Sequence, residues 1–110
     1  MTILLVEDEP AIRRLMAIEL EGAGYRIVEA RNGKEALTAF GPDVDLLLTD
    51  MRLPFLEGAQ VIERLRARRR TLKVLAFSGY PLNAPEGVPF LSKPFKRDES
   101  LRAVRQALGE

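Results

Sequence analysis

The sequence contains neither cysteine nor histidine among its 110 residues. The absence of cysteine excludes disulfide bonds and thiolate metal sites. The absence of histidine excludes imidazole ligation of zinc, a Ser-His-Asp triad and a phosphohistidine within this chain. Binding or chemistry in this protein must therefore rest on other side chains.

Strong net charge and long apolar runs are also missing. The formal net charge is +1, so no overall field attracts nucleic acid or a membrane surface. No apolar stretch approaches the length of a membrane span. The first predicted strand opens the chain and leaves no room for a signal peptide. We therefore expect a cytoplasmic protein that contacts no membrane and does not itself bind nucleic acid.

Short apolar runs alternate with segments of helical periodicity. This alternation is typical of βα units around a parallel sheet, and the length matches one domain spanning residues 1–110. The predicted strands cover residues 3–6, 25–30, 45–49, 73–77 and 88–91. The chain is therefore predicted to be an α/β protein with a five-stranded parallel sheet.

The first predicted helix starts near Pro10, since proline suits the first helical turn. Its apolar residues recur at three- and four-residue spacing, which predicts one buried stripe. The stripe consists of Ile12, Leu15, Met16 and Leu20.

The connection between the fourth and fifth strands departs from this pattern. Residues 80–87 read YPLNAPEG, contain two prolines and lack apolar periodicity. Proline removes a backbone donor and clashes inside a helix. We expect a loop, or at most one turn, where a crossover helix would otherwise stand.

Five arginines crowd the end of the helix that precedes the fourth strand. Cations suit a helix C-terminus because they complement its dipole. They are Arg64, Arg66, Arg68, Arg69 and Arg70.

Polar residues follow four of the apolar runs. The acidic cluster 7–9 follows ILLV, Asp50 ends LLLTD, Ser78 ends VLAFS, and Lys93 follows PFLS. The carboxyl ends of parallel strands share one edge of a sheet, so these groups are predicted to converge there. By itself, the acidic cluster is better explained as charge at a helix N-terminus. Asp50 could instead make a helix cap or a loop hydrogen bond, Ser78 a turn hydrogen bond, and Lys93 could be an ordinary surface lysine.

The segments VEDEP, LLLTDMRLPFLEG, FSG and FLSKPF together resemble the receiver domains of two-component response regulators. The resemblance spans the whole chain, with the motifs in the family's order. It implies a doubly wound sheet with strand order 2-1-3-4-5, in which the fourth crossover helix is here shortened or absent.

The resemblance identifies Asp50 as the phospho-acceptor. Because the carboxylate and the incoming phosphoryl group are both negative, the family uses Mg²⁺, a cation that prefers oxygen ligands. The implied ligands are Asp8 and Asp50, Glu7 through water, and the backbone carbonyl of Arg52.

The remaining motif residues surround the phosphoryl group in such proteins. Lys93 and the Ser78 hydroxyl would contact its oxygens, together with the backbone amides of Met51 and Gly79. The resemblance also assigns a cis bond to Lys93-Pro94. Ser78 and Phe90 match the family's switch residues, although Phe90 on its pattern alone also suits ordinary core packing.

The implied partners are a sensor histidine kinase or a histidine phosphotransfer protein as donor, and an unknown downstream protein. We expect that the chain is not an enzyme. It would be a phospho-acceptor that assists its own phosphorylation and dephosphorylation in a phosphorelay.

Three other functions compete. A pseudo-receiver would bind proteins without taking phosphate, but the complete set of acidic, hydroxyl and lysine positions disfavours it. An aspartyl phosphatase usually has a second Asp two residues after the first, where this chain has Arg52. A flavodoxin-like cofactor binder needs a phosphate loop after the first strand, where this chain has EDEP.

Overall fold

A computed structural model describes residues 1–79 and 85–110. Five parallel strands form one sheet in the order β2-β1-β3-β4-β5, which confirms the predicted class and strand order. The strands are β1 (Thr2–Val6), β2 (Arg26–Ala30), β3 (Val44–Asp50), β4 (Lys73–Ser78) and β5 (Phe90–Ser92). The helices of the described ranges are α1 (Pro10–Gly22), α2 (Gly33–Ala39), α3 (Gly58–Arg68) and α4 (Arg97–Leu108).

The helices cover both faces of the sheet. Residues of α1 and α4 pack with one side of the strands, and residues of α2 and α3 pack with the other. The centre of β3 is buried on both faces, as its unbroken leucine run predicts. Leu46 and Leu48 pack on the side covered by α1 and α4, and Leu47 packs on the side covered by α2 and α3. The sheet is therefore a rigid central layer that fixes the positions of its strand ends.

The stripe predicted for α1 is only half correct. Met16 and Leu20 are buried together with Ala17, but Ile12 is 38% exposed and Leu15 is 58% exposed. Ala17 is fully buried in the core on this side of the sheet. The helix is consequently rotated so that Ile12 and Leu15 form part of the surface, where the periodicity predicted burial.

The fifth strand begins two residues later than predicted. The Val88 amide donates to the Pro85 carbonyl at 3.0 Å within a turn, and regular pairing with β4 starts at Phe90. Residues 85–89 contain no helix. The predicted loop falls partly on residues 80–84, which lie outside the described residues.

The strand order places a crevice at the carboxyl ends of the strands, because β1 lies between β2 and β3. The chain crosses to opposite sides of β1 in its first two connections, so the sheet has a topological switch point there. The carboxyl ends of β1, β3, β4 and β5 thus border one crevice. No helix in the described part of the chain has the length and apolar character required to cross a bilayer.

Candidate functional site

The carboxyl edge of the sheet brings the predicted polar residues together. The Lys93 ammonium lies 2.5 Å from Glu7 Oε1 and 3.0 Å from Asp50 Oδ2. A cavity of about 570 Å³ opens beside this cluster. Its lining residues are Glu7, Asp8, Glu9, Ile12, Asp50, Arg52, Ser78, Gly79 and Lys93.

Three carboxylates are arranged as a possible cation site. Glu7, Asp8 and Asp50 each offer an oxygen, and these oxygens lie within 4.8 Å of one another. Glu7 and Asp50 are buried, whereas Asp8 faces the opening. An all-oxygen set with one open side fits Mg²⁺, which binds through a few carboxylates and keeps several waters. The residues present therefore match the metal that the sequence implies.

Glu7 is held in an unusual electrostatic state. Burial raises its pKa from 4.5 to about 7, and the repulsion of Asp50 adds to the shift, while the bond to Lys93 opposes it. The desolvation of the carboxylate outweighs its ion pair. Glu7 is thus poised to take up or release a proton near neutral pH.

Lys93 is the positive centre of the cluster. Partial burial disfavours its charge, but hydrogen bonds to Glu7 and Asp50 outweigh this effect and raise its pKa. The ammonium also lies 5.0 Å from the centroid of the Phe77 ring. The Lys93-Pro94 bond is cis, as predicted, and the Lys93 amide donates to the Ser78 carbonyl at 2.8 Å. The end of β5 is therefore tied directly to the end of β4.

Asp50 receives a backbone hydrogen bond that the sequence did not suggest. The Arg52 amide donates to Asp50 Oδ1 at 2.9 Å. The Met51 amide donates to the Phe77 carbonyl at 2.9 Å, and its contact with a phosphoryl group stays a prediction. In this conformation the β3–β4 pairing uses the Met51 donor, so the amide directed at the Asp50 carboxylate is that of Arg52.

Close packing behind Asp50 fixes the strand end. A Cβ at Gly58 would lie 2.4 Å from the Asp50 carbonyl oxygen and 2.6 Å from the Met51 Cα. Since both neighbours are backbone atoms, neither can move aside cheaply. The glycine at the start of α3 therefore allows the helix to lie against the backbone of Asp50.

The other predicted residues lie around the same crevice. Ser78 is buried and lines the cavity with Gly79. A Cβ at Gly79 would meet Lys93 Cβ at 3.9 Å, an ordinary contact, so sterics alone do not demand glycine there. Phe90 is half-buried and packs against the cluster that includes Leu53 and Val88. Its aromatic ring lies in a position open to either a packing or a switching role.

Arg13 is a contributor that the sequence patterns missed. Its guanidinium donates to the Glu7 carbonyl oxygen at 2.9 Å and to Glu29 Oε1 at 3.2 Å. An arginine on α1 thereby fixes the backbone of the acidic segment. Only its position one turn after the acidic residues could have suggested this contact, and that signal is too common to be useful.

The comparisons with known proteins agree with this geometry. The model of the response regulator receiver domain family matches residues 3–105. The sensor kinase CckA of Brucella abortus is 34% identical over 119 aligned residues, which cover 97% of this chain and 12% of that protein. The chain spans half or less of the length of the curated relatives it matches first.

Solved structures give the same result. The receiver domain of the hybrid histidine kinase CckA is 35% identical with a TM-score of 0.87, covering 98% of this chain and 99% of that one. The receiver domain of sensor histidine kinase PA1611 from Pseudomonas aeruginosa, with magnesium in its active site cleft, is 31% identical with a TM-score of 0.88, covering 99% and 98%. With its acidic crevice, its cis bond and these likenesses, the chain belongs to the family of response regulator receiver domains of two-component signalling.

Proposed function

We propose that the chain accepts a phosphoryl group on Asp50 and passes the signal on by a change of conformation. The observation that carries this proposal is the convergence of Asp50 with Glu7, Asp8 and Lys93 within hydrogen-bonding or metal-binding distance. The group would come from the phosphohistidine of a sensor histidine kinase or a histidine phosphotransfer protein. The phosphorus–nitrogen bond of the donor breaks as an Asp50 carboxylate oxygen bonds to phosphorus, which leaves a neutral imidazole after proton uptake.

Different residues of the crevice would bind the metal ion and the phosphoryl group. When bound, Mg²⁺ supplies positive charge that offsets the repulsion between the carboxylate and the phosphoryl oxygens. Glu7, Asp8 and Asp50 would hold it, with the Arg52 carbonyl as a further ligand. With that positive charge beside Glu7, the Lys93 ammonium would be available to contact a phosphoryl oxygen. Lys93 would thus act as a stand-in cation before transfer and as an anion-binding group during it.

The response to phosphorylation would begin at Ser78. Its buried hydroxyl lies at the edge of the cavity, from which a short movement would bring it to the phosphoryl group. Phe90, half-buried two strand positions before Ser92, would then turn to occupy the vacated space. The phosphoryl group would bias a two-state element in this way.

The donor would dock on the exposed side of α1. A groove of about 480 Å³ adjoins the crevice and shares Ile12, Gly79 and Lys93 with it. Leu15 and Phe95 give the groove an apolar lining. An apolar surface beside the acceptor carboxylate is suited to a partner that must bring a phosphohistidine close to Asp50.

We propose that the chain does not act as an enzyme with multiple turnovers. It would assist its own phosphorylation and dephosphorylation, and the same crevice would bind the attacking water during release. The second candidate is a pseudo-receiver that binds proteins without taking phosphate. The pairing of Lys93 with both Glu7 and Asp50, which already gives the Asp50 carboxylate a cationic partner, is the observation that favours it.

One experiment separates these functions. The protein is incubated with Mg²⁺ and acetyl phosphate, and its intact mass is measured. One added phosphoryl group, lost in Asp50→Asn and in the presence of a chelator, supports the proposal. An unchanged mass in the wild type supports the pseudo-receiver, and continuous phosphate release at high turnover indicates a phosphatase.

A further inference from the structure

The loop before α3 exposes an aromatic residue in a strained conformation. Phe55 has a φ of 70°, and 75% of its surface is exposed. Residues with a bulky side chain rarely adopt this left-handed conformation, which asparagine and glycine take more readily. Neither the strain nor the exposure benefits folding, so Phe55 is a candidate contact residue for another molecule.

A cation accompanies this ring. The Lys34 ammonium lies 5.4 Å from the centroid of Phe55, and Lys34 itself is exposed at the start of α2. The two helices lie close together at this point, because a Cβ on Gly33 would come within 2.5 Å of Leu56 Cβ and 2.9 Å of Val61 Cγ2. Phe55 and Lys34 therefore occupy one end of a continuous α2–α3 face.

The arginines lie at the other end of this face. Arg68 donates to the Leu37 carbonyl at 2.8 Å, and Arg69 donates to the Val44 carbonyl at 2.6 Å. Arg69 also lies over the Phe40 ring at 4.7 Å. These contacts place the cations against the C-terminal half of α2. Arg64 is one turn before Arg68 and so shares its side of α3.

Within residues 1–79 and 85–110, these arginines form no ion pair with an acidic side chain. In the described ranges, none of the residues Arg64, Arg66, Arg68, Arg69 and Arg70 takes part in a salt bridge. The helix dipole favours cations only in its last turn, which accounts for some of them but not for Arg64. Glu63 and Glu57 are the acidic residues of α3 and its N-cap, and Glu35 of α2 is paired with Arg31. The face consequently carries an excess of positive charge in a chain whose net charge is only +1.

We propose that the α2–α3 face binds an acidic segment of a partner protein, with an apolar side chain on Phe55 and carboxylates against Lys34, Arg64 and Arg68. Guanidinium groups match carboxylates in geometry and bind them through paired hydrogen bonds. The 11 residues of α3 span about 16 Å, enough for about five residues of extended chain or three helical turns. A nucleic acid is the weaker candidate, because the chain lacks a strong overall positive charge and the face exposes a single aromatic ring for stacking.

This surface goes beyond the proposed phosphoryl transfer and is tested without it. A fluorescein-labelled nonapeptide with eight glutamates around a central leucine is titrated with the unphosphorylated protein, and anisotropy is recorded. A peptide of nine glutamates serves as the second probe. We expect the leucine peptide to bind more tightly, and its affinity to fall as salt is added.

Matched variants locate the binding face. Lys34→Gln/Arg64→Gln should weaken binding of the leucine peptide by about fivefold or more, as loss of close charge pairs does. Arg26→Gln/Arg102→Gln removes the same net charge from exposed positions elsewhere and should change the affinity by less than about twofold. Phe55→Asn keeps a residue that tolerates the left-handed conformation, so it should fold normally. It should weaken the leucine peptide and leave the nine-glutamate peptide unaffected.

Several results would overturn the proposal. Equal weakening by the two double variants would show that only net charge matters. Tighter binding to oligothymidine or to phosphatidylglycerol vesicles than to the peptide would assign the face to a nucleic acid or a lipid surface. Failure of the leucine peptide to bind would refute the proposal that this face binds an acidic segment. If Phe55→Asn had no effect, Phe55 would not be the contact for the apolar side chain.

Discussion

The Lys93 Nζ atom lies 2.5 Å from Glu7 Oε1, although 86 positions of sequence separate the two residues. Glu7 is only 1% exposed, and a buried carboxylate without a partner is costly. The lysine therefore serves as the internal counter-ion of the acidic crevice. A divalent cation at the proposed site would satisfy the same negative charge as Lys93 does.

Loss of this counter-ion should destabilise the fold strongly. We expect Lys93→Gln to lower the free energy of unfolding by about 3–5 kcal/mol at pH 8 without metal, as removal of one member of a buried pair does. The loss should shrink at pH 5.5, because Glu7 can then take up a proton. Urea denaturation at both pH values measures the effect. Lys34→Gln, at an exposed lysine, is the control, and equal losses in the two variants would refute the role of Lys93.

Glu7 should give the fold a characteristic pH dependence. Its pKa rises from 4.5 to about 7 on folding, so between these values the folded state binds more protons than the unfolded state. Stability from this group is thus complete below pH 4.5 and lost as the pH rises through about 7, by up to roughly 3 kcal/mol. The difference between wild type and Glu7→Gln, measured by urea denaturation with chelator from pH 4.5 to 8, should follow this curve. Parallel profiles for the two proteins would contradict it.

Magnesium binding should depend on Asp8 and not on Glu9. Asp8→Asn removes one charge from the three-carboxylate cluster and should weaken Mg²⁺ binding by at least about tenfold, or roughly 1.4 kcal/mol. The shift of the melting temperature with Mg²⁺ concentration reports the affinity. Glu9→Gln is the matched control, since Glu9 is exposed and lies outside the cluster. A similar loss in both variants would indicate general electrostatics instead of ligation.

The glycine behind Asp50 should resist substitution. In Gly58→Ala the new methyl group would overlap the backbone of Asp50 and Met51, so we expect a destabilisation of at least about 2 kcal/mol and slower phosphorylation by acetyl phosphate. Gly22→Ala is the control, because its methyl group meets only Arg97 at 3.9 Å and alanine favours the helix by about 0.5–1 kcal/mol. Thermal unfolding and intact mass give the two measurements, and a stable, fully active Gly58→Ala protein would show that the helix can shift.

The exposed side of α1 should affect the rate of phosphotransfer from a protein donor, but not from acetyl phosphate. Leu15→Gln should slow phosphotransfer from a phosphohistidine protein several-fold while its reaction with acetyl phosphate stays unchanged. Ile18→Gln is the control, because Ile18 is equally exposed but does not line the groove beside the crevice. Transfer from radiolabelled donor measures the rate. Equal slowing with both donors would assign Leu15 to the chemistry and not to docking.

Much of the site could be predicted because it follows from strand order. Asp50 and Ser78 end apolar runs, Glu7 and Lys93 follow them, and a parallel sheet brings such ends to one edge. The α1 stripe was only half correct because periodicity marks apolar residues and not the side that the sheet covers. The buried side includes Ala17 and leaves Ile12 and Leu15 exposed. The amide facing Asp50 also escaped prediction, since the β3–β4 pairing decides which backbone donor stays available.

The sequence by itself determined the class of fold, the order of its elements and the residue types at each strand end, because local periodicity and motif spacing encode them. Only the tertiary structure decided the rotation of α1, the contact of Lys93 with Glu7, and the strained exposure of Phe55. These features depend on packing between segments far apart in the chain. Pair distances, burial and the resulting pKa of Glu7 are properties of that packing, and no single segment contains them.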